Sequence, residues 1–231
     1  VLEEHLRDAE AAFFAYLEAI QSHPNSVEIY GQLRRLAEKS KNWEVYAATL
    51  EDTADLIAKK AMGMVSAGFT ALKWDPFREG GQVIPKSEEK YAIESVRAVR
   101  EAVGPDVDLL IEVHRRLAPM NAIRVAKQME QYDPYWFEEP CPPDNIDAIK
   151  EVKEATTIPV VTGEALYTRN DFREVFDKRA VDIINPDICN TGGILELTQI
   201  AAMAQPHYIG VSPHGYNSTS IGCAAAIHAS A

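Results

Sequence analysis

Three glutamates stand at equal intervals along the 231-residue chain: Glu112 in LIEVH, Glu138 in WFEEP and Glu164 in VVTGEA, 26 residues apart each time. Asp187 in INPDIC follows 23 residues later, and His214 in VSPHG 27 after that. Carboxylates and imidazoles are the side chains of hard-metal binding and of proton transfer. Each of the five ends a short apolar run, and a strand, a helix and two connections fill such an interval. One polar group is thus expected at the end of each successive strand. In a (β/α)8 barrel those ends converge on one face, where catalysis takes place. Three acids gathered there repel one another unless a cation lies between them. The leading reading is a divalent-metal enzyme.

The elements that would position these groups are legible from Glu44 onward. Val45-Tyr46-Ala47 reads as a short strand, 51–66 as a helix ending near Gly68, and 69–74 as the next strand. Helices are expected at 86–103, 119–131, 144–156, 170–178 and 193–204, and strands at 107–113, 135–138, 158–162, 181–185 and 208–211. This alternation implies a parallel sheet with right-handed crossovers. The expected fold class is α/β, a (β/α)8-type barrel with about seven βα units, the chain stopping before strand eight.

Residues 1–43 read differently. Leu6, Ala9, Phe13, Leu17 and Ile20 form a helical stripe, His23 to Ser26 interrupts it with Ser26 as an N-cap, and Ile29, Tyr30, Leu33 and Leu36 continue a second helix. The segment from Pro24 to Glu51 resembles one tetratricopeptide-type hairpin; an ordinary helical pair is the alternative. Residues 44–50 cannot be both a barrel strand and the second helix of that hairpin. The strand is favoured, which puts a domain boundary between 43 and 44.

Net charge is −12 and there is no basic stripe, so nucleic acid and anionic membrane are not expected partners. Cys141, Cys189 and Cys223 are few, scattered and without a CxxC pair, which speaks against a zinc site or a disulfide framework. No signal peptide or spanning segment is recognisable. A cytoplasmic setting is expected.

Lys73-Trp74-Asp75, Glu112, Glu138-Glu139-Pro140, Gly163-Glu164, Pro186-Asp187 with Gly192-Gly193, and His214 together resemble the barrel domain of the enolase superfamily. The resemblance spans about residues 45–231. It points to the mandelate racemase/muconate lactonizing enzyme branch, and within it to acid-sugar dehydratases of the galactonate and mannonate type. It implies Mg2+ held by Glu112, Glu138 and Glu164, and abstraction of a proton α to a carboxylate. It implies an Asp187–His214 dyad as general base, and His114 as the acid that helps a 3-hydroxyl leave. On an extended strand, His114 would share a face with Glu112 two residues before it. Lys73 would stabilise the substrate carboxylate. Arg115, Asp75 and Glu139 are candidate substrate contacts, with Asp75 alternatively capping its turn and Arg115 alternatively a surface ion pair.

The chain departs from the family pattern in several places. Racemases of this branch carry Lys-x-Lys, whereas Asp75 stands at the second lysine, so one-base elimination is favoured over racemisation. Glu112 replaces the usual aspartate. The capping domain is not recognisable in residues 1–43. The resemblance implies a small-molecule sugar-acid substrate and a homo-oligomer. An epimerase or racemase of the same superfamily, and an inactive barrel fragment serving as a binding module, are the alternatives.

Overall fold

The computed structural model of the protein describes residues 8–23, 26–78, 81–216 and 218–231. The chain divides into two units, Val1–Leu110 and Ile111–Ala231. The boundary expected after residue 43 falls inside the first.

In the first unit, helix α1 (Ala9–Ser22) begins at Asp8, whose carboxylate accepts the Ala11 N–H at 2.8 Å. Leu6 of the expected stripe lies outside the described residues, as do Pro24 and Asn25. Ser26 caps α2 (Val27–Ser40) as its sequence predicts, its hydroxyl accepting from Ile29 N at 3.3 Å. Phe13, Ile20, Tyr30, Leu33, Leu36 and Tyr46 close into one buried cluster.

The strand expected at Val45-Tyr46-Ala47 is not there. Those residues belong to helix α3 (Trp43–Ser66). Nothing between Asn42 and Ser66 breaks the helical period, and Tyr46, Thr49, Thr53 and Ile57 are buried at spacings of three and four while Val45 is exposed. A strand would have needed Val45 and Ala47 on one face; the longer helical pattern wins. The second helix of the hairpin therefore forms.

Strand β1 (Ala71–Trp74) turns Leu72 and Trp74 onto a cluster of Ile57, Ala61, Val99, Val107 and Leu109, supplied by α3, by α4 (Lys86–Val103) and by the start of β2 (Asp108–Glu112). Asp108 N–H donates to Thr70 O at 3.0 Å, so β2 runs beside β1. Past β1, Arg78 is only 4% exposed. It pairs with buried Glu88 at 2.9 Å, and its guanidinium lies 3.6 Å from the Tyr91 ring centroid and 5.2 Å from that of Tyr30. Burial pushes the Tyr91 phenol far up.

The second unit opens on the last two residues of β2. It continues through α5 (Pro119–Met129), a 3-10 turn (Glu130–Tyr132), β3 (Trp136–Glu138), α6 (Ile146–Ala155), β4 (Val160–Thr162) and α7 (Arg169–Lys178). Then come β5 (Ile183–Ile184), the short α8 (Ile188–Thr191), α9 (Ile194–Ala204), β6 (Gly210–Val211) and α10 (Ser220–Ser230). Strands β3 to β6 are parallel and adjacent in chain order, with Glu138 opposite Val161, Thr162 opposite Ile184 and Ile184 opposite Val211. Phe137, Val160, Val161 and Ile184 are buried. Parallel strands covered on both faces show such near-continuous apolar runs. Asn145 and Thr168 cap α6 and α7. Six strands form among the described residues rather than seven, and α8 is an element the sequence pattern did not announce.

No described helix is long and apolar enough to cross a membrane. The three cysteines are free.

The Arg78–Glu88 pair is a point of weakness in the first unit, because removing one partner strands a buried charge. Arg78→Met should lower stability by about 3 kcal/mol or more, read from urea unfolding.

Candidate active site

Glu112 and Glu138 are the last residues of β2 and β3, and Glu164 follows β4 by two positions. All three are buried, at 3%, 1% and 8% exposure. One carboxylate oxygen from each lies within 4.8 Å of those from the other two. The equal spacing in sequence therefore becomes a cluster in space.

Left-handed backbone just beyond the strands makes this possible. His114, Arg115 and Glu139 have φ of 54°, 60° and 49°, and Gly163 has φ of 146°. The chain curls back at each point, so that the His114 N–H donates to Glu112 Oε1 at 2.8 Å. Backbone bonds stitch the ends together: Val113 N to Glu138 O at 3.0 Å, Arg115 N to Glu139 O at 2.7 Å, and Glu139 N to Val161 O at 2.8 Å. Gly163 has a second reason to lack a side chain. A Cβ there would meet Asn185 N and the Phe172 ring at 3.0 Å.

Strand β2 ends at Glu112, and this alters the expectation for His114. The two-residue alternation that would have set the imidazole beside the carboxylate does not apply in a left-handed turn, and His114 is exposed. Its backbone N–H reaches Glu112.

Glu139 differs as well. The carboxylate expected to touch substrate is wholly buried, with Oε1 accepting from Thr162 Oγ1 at 2.8 Å and from Gly163 N at 2.7 Å. Burial raises its pKa, opposed by those two hydrogen bonds. It ties β3 to the end of β4.

The dyad forms. His214 Nδ1 lies 2.8 Å from Asp187 Oδ2, and Asp187 Oδ1 accepts from Cys189 N at 2.8 Å at the start of α8. A parallel bridge between residues 187 and 214 extends β5 and β6 and sets the two side chains level. His214 Nε2 lies 2.8 Å from Glu164 Oε2, which places the imidazole against the carboxylate cluster. The Arg115 guanidinium pairs with Glu164 Oε1. Arg115, Glu164, Tyr167, Asp187, Asn190 and His214 line a pocket of about 280 Å3.

Two contributors escape motif reasoning. Asn185 Nδ2 donates to Glu138 Oε1 at 2.8 Å, and Asn190 Nδ2 donates to Glu164 O at 2.9 Å. Asn185 precedes Asp187 by two residues, a spacing that puts both on one face of an extended segment, and this was the available signal. Asn190 sits in the helix the sequence did not announce.

Lys73 and Asp75 belong to the first unit. Lys73 is on β1, and the Asp75 carboxylate accepts from Phe77 N at 2.8 Å, the turn-capping alternative.

A family model described as Enolase C-terminal domain-like matches residues 56–231, more than half of the chain. The chain belongs to this family. Its fold is accordingly the α/β, (β/α)8-type barrel. Over 157 residues it is 38% identical to a D-gluconate dehydratase of Thermoproteus tenax, covering 68% of this chain and 32% of that protein. Among solved structures, a mandelate racemase/muconate lactonizing enzyme-like protein of Rubrobacter xylanophilus DSM 9941 is 40% identical with a TM-score of 0.70, over 78% of this chain and 46% of that one. The 3,6-anhydro-D-galactonate cycloisomerase of Zobellia galactanivorans is 35% identical with a TM-score of 0.69, over 76% and 47%. The chain spans about a third of the length of the curated relatives it matches, 32% for the first and 38% for a D-xylonate dehydratase of Haloferax volcanii.

The donor set of the cluster is three carboxylates with no thiolate or imidazole among them, which suits a hard divalent ion such as Mg2+. The tightness of the Gly163 turn is what holds Glu164 in that set. Gly163→Ala should destabilise the protein by about 2 kcal/mol through strain at positive φ and the clash with Asn185, seen as a lowered midpoint in thermal or urea unfolding.

Proposed function

We propose that this barrel chain carries the active site of a Mg2+-dependent acid-sugar dehydratase, a hydro-lyase that converts a sugar acid to its 2-keto-3-deoxy product. The observation that carries the reading is the 2.8 Å approach of His214 to Glu164, which sets an Asp-oriented imidazole against a cluster of three buried carboxylates. The names of the matched relatives support the reaction class.

Mg2+ held by Glu112, Glu138 and Glu164 would supply Lewis acidity toward the substrate carboxylate. The chain's own groups divide the remaining work. Asp187 on Nδ1 selects the imidazole tautomer whose lone pair is on Nε2 and stabilises the imidazolium that follows. His214 then takes the proton from the carbon α to the carboxylate at Nε2, which borders the pocket. The electron pair left behind forms the double bond to the neighbouring carbon as the 3-hydroxyl departs with a proton from His114, releasing water. The enol so formed tautomerises to the 2-keto acid. His114 stands in the turn just beyond Glu112 and would have to swing its exposed ring toward the pocket to give that proton. The Arg115 guanidinium, in the lining of the pocket, would meet substrate oxygens.

His214→Asn should abolish exchange of the substrate α-proton with solvent deuterium, by about 1,000-fold or more for a general base, while Mg2+ binding survives. Glu138→Gln should remove the Mg2+ heat in calorimetry. Retained exchange in the His214 variant disposes of the base assignment. Solvent deuterium in recovered substrate of inverted configuration, without keto acid, identifies an epimerase instead. A wild type with no Glu138-dependent Mg2+ site identifies a binding module. A panel of aldonic and aldaric acids, followed by keto-acid formation, finds the substrate.

A further inference from the structure

Asn185 is a polar side chain in a place the fold otherwise gives to apolar ones. It follows Ile183–Ile184, the whole of β5, and is only 2% exposed. Its backbone is held from both sides. Asn185 N donates to Thr162 O at 3.1 Å, and Pro186 O, next along the chain, accepts from His214 N at 3.1 Å. The proline at 186 also confines Asn185 to extended backbone. Gly163 packs so closely that a Cβ there would meet Asn185 N at 3.0 Å. The side chain therefore leaves a fixed base.

That side chain goes to the carboxylate cluster. Nδ2 donates to Glu138 Oε1 at 2.8 Å, with both residues buried. Oδ1 is buried and meets no donor among the described residues, so the amide is held from its Nδ2 end. Turning it over would set two oxygens against each other. An ionised carboxylate has about four lone-pair sites, so this N–H takes one and leaves the rest open to a metal ion. What the bond removes is rotation. The last torsion of a glutamate is broad, and a charge-assisted hydrogen bond from a fixed donor narrows it to one plane.

We propose that Asn185 is a positioning residue: it sets the plane of the Glu138 carboxylate and so makes the cluster select a small divalent ion over a large one. This rests on the reading of the cluster as a metal site. Mg2+ demands near-ideal octahedral geometry at about 2.0–2.1 Å, whereas Ca2+ accepts about six to eight oxygens at about 2.3–2.6 Å in flexible arrangements. A carboxylate whose plane is already fixed costs little further to order when Mg2+ binds. One that rotates freely has to be ordered first, and Mg2+ bears that cost in full. Ca2+ escapes most of it, because many carboxylate orientations satisfy it. The Asn185 amide thus acts on the ratio of the two affinities.

Calorimetric titration of the full chain with MgCl2 and, separately, with CaCl2 tests this, thermal melts confirming that each variant folds. Asn185→Leu keeps the bulk and removes the N–H. It should weaken Mg2+ binding about ten-fold or more, and Ca2+ binding by no more than about three-fold. Asn185→Ala removes the amide without a branched side chain, should move the ratio the same way, and carries the test where leucine does not pack. Asn145→Ala is the control for lost stability alone. It removes the cap of α6, where Asn145 Oδ1 accepts from Ala148 N at 3.3 Å, and should lower the melting midpoint with both affinities unchanged. Equal losses for the two ions overturn the proposal, since they mark a residue that only props the site. Unchanged Mg2+ binding overturns it as well. A wild type with no Mg2+ site sensitive to Glu138→Gln overturns the metal reading itself, a result distinct from the others.

Discussion

Mutual repulsion among three buried carboxylates is the constraint around which the second unit is organised. Moving one carboxylate out of water costs several kcal/mol even after the surroundings relax. Here three lie together at the ends of β2, β3 and β4, and each is met by a donor supplied by the fold: a turn N–H for Glu112, the Asn185 amide for Glu138, and Arg115 with His214 for Glu164. Those donors come from three different strand ends, β2, β5 and β6. The cluster can exist only if all of the ends are in register, and the parallel pairing from β3 to β6 provides that register.

The same constraint explains the concentration of unusual backbone. Left-handed residues at 114, 115 and 139 and the glycine at 163 all fall just past strands, where the chain has to turn sharply and still present a side chain inward. Strain of this kind persists where neighbouring contacts over-determine it. Glu139 shows how: a second carboxylate, wholly buried beside the first, holds Thr162 and Gly163 and so keeps the β4 end where Glu164 needs it.

What could be read beforehand follows from these physical scales. Repeating polar groups at strand ends are a long-period pattern, and Glu112, Glu138, Glu164, Asp187 and His214 were visible because each sits at the same phase of a βα unit. The helix Lys86–Val103, with its strong periodicity, came out with its bounds intact, and those expected at 119–131, 144–156, 170–178 and 193–204 differ by one or two residues at one or both ends. The strand at Val45 was misread because three apolar-leaning residues fit either period, and only the burial of Tyr46, Thr49, Thr53 and Ile57 along one stripe decides for the helix. The strand expected to run on to Val113, with His114 on its face, fails for a related reason. Strand alternation was extended one turn too far, past the point where φ changes sign. Asn185 and Asn190 have no motif of their own, and their roles emerge only from three-dimensional proximity.

Asp187 performs two tasks with its two oxygens, one holding the Cys189 N–H in the first turn of α8 and the other the imidazole of His214. The orientation of the imidazole at position 214 is thereby tied to the placement of a four-residue helix. Residues 188–191 thus act on the aim of that ring at one remove: a drift that tilts this short segment would swing the imidazole relative to Glu164 without any change to either partner of the dyad.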